Sequence, residues 1–111
     1  MSVGAGFNPV GAGSVSTDPV VTDPGLYSVV FENERVRVLE YRDGPGDRTS
    51  EHSHPDMVMI PLATFRRRLT VGGRTVEVEK VRHEAGWVDA QTHVGENIGD
   101  GPSQALFIEL K

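Results

Sequence analysis

From Leu26 onward the chain carries no helix signal; it is cut into short runs rich in Val, Ile, Tyr, Phe and Thr, each closed by turn residues. Short strands of this kind bury their apolar faces only by stacking two sheets or closing one, so the pattern predicts an all-β sandwich or barrel. Strands are predicted over residues 27–31, 36–41, 48–54, 58–62, 65–71, 75–81, 87–89, 93–98 and 104–110. "RVRVLEY" and "TVEVEKV" alternate cleanly, which gives each one wet and one buried face. In "LTVGGRTVEV", Gly72-Gly73 supplies the positive φ angles of a two-residue hairpin turn. "RDGPGD" and "NIGDGPS" mark further strand boundaries, because Gly, Pro, Asp and Asn populate turns cheaply.

Residues 1–25 differ in texture, being rich in Gly, Ser, Pro and Val with little charge. They read as a flexible leader, or as an arm in which Val20-Val21 adds an edge strand to a neighbouring subunit. The remaining 26–111 form one domain, since 111 residues suit a single core. A net charge of -5 disfavours a nucleic-acid partner. The one basic cluster, Arg66-Arg67-Arg68, splays to both faces of a strand and makes no continuous phosphate stripe. With no cysteine, disulfides, thiolate-bound zinc, iron–sulfur clusters and a thiol nucleophile are excluded. The start of the chain lacks the basic and apolar regions of a secretion signal, and no window approaches a membrane span, so the expected location is cytoplasmic. A small barrel of this type is expected to be a homodimer that covers an apolar outer face.

The chemistry sits in "RTSEHSHPDMVMIP", where His52 and His54 stand one residue apart. Residues i and i+2 of a strand share a face with Cα atoms ~6.5 Å apart, so both rings can aim at one point. An isolated pair of this kind is either half a metal site or two polar side chains on a loop. A third histidine, His93, opens another β-like run 39 residues after His54, while His83 lies in a turn-like "RHEAG" and reads as solvated.

These residues resemble a known family. Gly46, five residues, then His52-Ser53-His54 matches the start of the first cupin motif, and His93, three residues, then Asn97 matches the end of the second. Roughly Leu26 to Lys111 is similar to one small cupin domain, which implies a double-stranded β-helix, a jelly-roll barrel with its ligand in the mouth. The resemblance implies that His52, His54 and His93 bind a divalent transition metal inside the barrel. The family's usual glutamate ligand falls on Val58 or Met59 and is absent; Arg82, Val88 and Ala90 stand where the second motif carries glycine, proline and glycine. Three neutral ligands leave a divalent ion its full charge and open positions. Such centres resemble those of cupin thiol dioxygenases and β-diketone-cleaving dioxygenases. The implied function is a non-haem Fe(II) dioxygenase acting on a small chelating organic acid, thiol or β-dicarbonyl, with Zn, Ni, Mn or Cu as other metals. Two alternatives stand beside it: a non-catalytic small-molecule-binding module, and an isomerase or epimerase. The latter predicts a carboxylate or tyrosine paired with His52 or His93 in place of an ion.

Several further residues are candidates around such a site. Gln91 shares a face with His93 if the strand has begun, as a fourth oxygen ligand or a hydrogen-bond partner; Asp56 could orient a histidine ring or cap a turn. Glu51 alternates away from the histidines and reads as solvated. Met57, Met59, Trp87 and Phe107 are candidates for the pocket wall. An inward arginine would anchor a substrate carboxylate, with Arg37, Arg66 and Arg68 considered.

Overall fold

The computed structural model describes residues 17–111, and residues 1–16 of the predicted leader lie outside the described residues. Nine strands follow one short helix: α1 (Pro19–Thr22), β1 (Tyr27–Glu32), β2 (Val36–Asp43), β3 (His52–His54), β4 (Met57–Pro61), β5 (Phe65–Val71), β6 (Arg74–Lys80), β7 (Gly86–Val88), β8 (Gln91–Asn97) and β9 (Ser103–Leu110). They build a five-stranded sheet ordered β1-β2-β9-β4-β7 and a four-stranded sheet ordered β3-β8-β5-β6, with antiparallel pairing throughout. The all-β expectation holds.

Alternation places the core between the two sheets. Leu39 and Tyr41 of β2, Met57 and Met59 of β4, Phe65 of β5, and Ala105 and Phe107 of β9 are buried, together with Tyr27. The β5–β6 hairpin turns at Gly72 (φ 55°) and Gly73 (φ 79°), the left-handed conformation that only glycine adopts without a steric penalty. His83 sits exposed in a turn, as expected.

Three expectations are corrected. Val20 and Val21 belong to helix α1, not to an edge strand. Asp18 caps that helix by accepting a hydrogen bond from the Val20 amide, and Pro19 takes the first helical position, where no amide hydrogen is needed. The strand predicted over 48–54 shrinks to His52–His54, because the segment before it is tied laterally: the Thr49 amide donates to the Gly95 carbonyl at 2.8 Å, and the Gly95 amide donates to Thr49 Oγ1 at 2.9 Å. The buried face expected of "TVEVEKV" is only partly covered: in edge strand β6, Val78 is half-buried against the cavity while Val76 remains 51% exposed.

Candidate metal centre

Strand register assembles the site. β3 pairs with β8 so that His52 lies opposite His93 and His54 opposite Gln91. The inward face of this two-strand patch therefore carries three imidazoles and one amide, while Ser53 and Thr92 bond to each other on the reverse face at 2.7 Å. The three rings are buried, with centroids 4.7, 4.8 and 5.2 Å apart, and one nitrogen from each lies within 4.8 Å of the others.

Each ring is held by an acceptor on its Nδ1. His52 Nδ1 donates to the Ser50 carbonyl at 2.9 Å, His54 Nδ1 to the Glu109 carboxylate at 3.2 Å, and His93 Nδ1 to Gln91 Oε1 at 2.8 Å. The Gln91 amide is oriented for this, since its Nε2 donates to the Asp89 carbonyl at 3.3 Å. With the proton fixed on Nδ1, the lone pair of every ring sits on Nε2. His54 Nε2 is buried and has no hydrogen-bond partner, an unmet acceptor of the kind proteins rarely leave without a purpose. Burial, followed by the neighbouring His54 and His52, pulls the His93 pKa down to about 3, and burial likewise lowers that of His52. Both shifts favour neutral His52 and His93 rings, the state in which imidazole binds a metal. Donor type, tautomer and burial all fit a divalent transition metal.

Glu109 is held in turn. Its Oε1 accepts from Arg37 Nε at 2.9 Å, and Arg37 forks onto both carboxylate oxygens of Asp18 at 2.9 Å. His52 has two other neighbours. Because its Nδ1 is already a donor, its Nε2 accepts from the Tyr27 hydroxyl at 3.3 Å, and an Asp23 oxygen stands 3.8 Å from Nδ1. Burial raises the Tyr27 pKa well above its ordinary value, so this hydroxyl keeps its proton.

A cavity of about 280 Å³ opens beside the centre, with His93 and Gln91 in its wall. Met57, Met59, Trp87 and Phe107 also line it, Trp87 from the rim, where it is 55% exposed. Asp56 does something else: its exposed side chain accepts from the Ala90 amide at 2.9 Å and caps a turn, touching no histidine. Glu51 is exposed as expected. The arginine in the cavity wall is Arg67. Arg66 and Arg68 point outward to Glu77, and Arg37, although inward, is consumed by Glu109 and Asp18. A signal for Arg67 was present, because it shares its strand face with Phe65 and Leu69. Glu109 had one too, standing in phase with the buried Ala105 and Phe107. Tyr27 had none, being 25 residues from His52.

Two facing antiparallel sheets with a histidine cluster at one end of the barrel define a double-stranded β-helix with a candidate metal centre. A cupin domain from Bordetella pertussis is 30% identical, covers 78% of this chain and 92% of its own, and superposes with a TM-score of 0.73. The chain belongs to the cupin superfamily. A cupin superfamily protein from Desulfitobacterium hafniense (20% identity, 77% and 75% coverage, TM-score 0.57) shares the fold. So does a polyketide cyclase from Streptomyces resistomycificus (18% identity, 76% and 63% coverage, TM-score 0.56). No family profile and no curated protein matches the chain.

Proposed function

We propose that this cupin is a metal-dependent enzyme in which His52, His54 and His93 hold a divalent transition metal, with Fe(II) favoured and a small organic acid as substrate. The observation that carries this reading is the convergence of three buried imidazoles whose Nδ1 atoms all have acceptors, with one nitrogen of each within 4.8 Å of the others and the Nε2 of His54 without any partner. When bound, the ion supplies Lewis acidity and, as iron, the one-electron chemistry of a dioxygenase. The chain's own contribution is positional. Ser50, Glu109 and Gln91 fix ring orientation, the apolar wall formed by Met57, Met59 and Phe107 excludes water, and the cavity beside His93 admits a small ligand.

Elemental analysis of purified protein tests the ligand set: wild type is expected to carry about one ion per chain and His54→Ala almost none. Full metal content in His54→Ala would refute it. O2 uptake by Fe(II)-loaded protein with a panel of thiols, β-dicarbonyls and hydroxy acids tests the dioxygenase; a silent panel favours a non-catalytic binding module.

A second reading is supported by the Tyr27–His52 contact with Asp23 behind it, the arrangement of a metal-free proton carrier in an isomerase or epimerase. In that case metal-free protein would exchange a substrate C–H proton with D2O, and Tyr27→Phe would abolish the exchange. A homodimer belongs to the proposal as well. Val29, Val30 and Phe31 are exposed along edge strand β1, the kind of strip a second copy covers, and sedimentation velocity reads the mass.

A further inference from the structure

Resting on the reading of the cavity as the substrate site, we infer that Arg67, seated on Gly95, is the residue that recognises the substrate, and that what it recognises is a carboxylate. Arg67 is 7% exposed and lies in the cavity wall, with its guanidinium carbon 4.8 Å above the Tyr41 ring. Only Nη1 is used within the protein, donating to Asp43 at 3.0 Å and to the Tyr41 hydroxyl at 3.2 Å. Nε and Nη2, which together form one of the two edges that can grip a carboxylate through parallel hydrogen bonds, make no hydrogen bond among the described residues. Neither atom is among the fully buried polar atoms that lack a partner, so both keep access to solvent at the cavity wall, where a ligand in the cavity can accept from them.

The guanidinium is not free to turn away. Asp43 is pinned from the far side by Asn97 Nδ2 at 3.0 Å and the Ser103 amide at 3.2 Å. Gly95, two residues after His93 on the inward face of β8, provides the space: a Cβ there would lie 2.2 Å from Arg67 Nη2. Any larger residue would push the guanidinium off the strand. Phe65 and Phe107 flank the same space, which suits an acid with an apolar or aromatic body. A cavity of about 280 Å³ is enough for a body the size of one ring. Asp43 balances the Arg67 charge, so recognition here rests on directed hydrogen bonds to a planar anion more than on net charge.

The test uses metal-free full-length protein and two probes of matching shape, benzoate and benzamide, with binding followed by isothermal titration calorimetry. Wild type is expected to bind benzoate at least ~10-fold more tightly than benzamide. Arg67→Met removes the preference, and Gly95→Ala removes it with the arginine still present. Equal affinity for the two probes, no benzoate binding up to about 10 mM, or a preference that survives either substitution overturns the inference. If Arg67→Met loses its far-ultraviolet circular dichroism, Gly95→Ala and the wild-type ratio decide. Cobalt(II) titration of the same proteins is read separately. Loss of cobalt binding in wild type would defeat the metal reading while leaving the benzoate preference to stand or fall alone.

Discussion

His54 illustrates how much one side chain depends on residues far along the chain. Its Nδ1 meets Glu109, Glu109 meets Arg37, and Arg37 meets Asp18, so the ring is braced by three charged groups in series. The glutamate that cupins usually place on the metal is missing, and a carboxylate acts here through the imidazole. Glu109→Gln keeps the shape, removes the charge from behind His54 and loosens Arg37. The expected result is a metal affinity lowered about 10–100-fold, read by competition with a chromophoric chelator; an unchanged affinity would contradict the bracing role. The three histidines were legible because strand geometry fixes i and i+2 on one face. Arg67 and Glu109 were harder, since a charged residue in an apolar phase reads first as a solvated one.

Among the elements, strands were legible wherever turn residues bounded them, and the β5–β6 hairpin was the clearest. Gly73→Ala forces a side chain into a left-handed turn, where φ is 79°. It should cost about 1–2 kcal/mol, seen as a thermal midpoint lower by several degrees; an unchanged midpoint would mean the turn had relaxed to another type. Helix α1 escaped notice because four residues are too few to show a 3.6-residue period, although Asp18-Pro19 is a capping signature. β3 was overextended, since alternation alone does not reveal that Thr49 is tied sideways to Gly95 of the neighbouring β8. The incomplete cover on β6 was equally invisible, because a sequence gives strand phase without saying which strands stand at an edge.

For the molecule as a whole, the buried histidines link stability to pH. His93 has its pKa lowered from 6.5 to about 3 in the folded state. Above pH ~6.5 both folded and unfolded chains leave this ring neutral, and it adds no pH dependence. As pH falls from there toward about 3, the unfolded chain takes up a proton that the folded one refuses, so stability is progressively lost. The slope approaches ~1.4 kcal/mol per pH unit for one such group, and His52 shifts in the same direction. Thermal melts of metal-free protein between about pH 7.5 and 4.5 should show a falling midpoint, with a shallower fall in His93→Gln. A midpoint independent of pH would mean that the rings are hydrated.

The opposition of His52 and His93 across two paired strands has a kinetic corollary. A slip of one residue in that pairing would set serine or threonine where an imidazole belongs, so ligands gather only in a chain that has zipped correctly. An ion captured there would staple together segments about forty residues apart and act as a proofreader: molecules with misaligned strands would stay unclasped, and a protease would sort them from the finished ones.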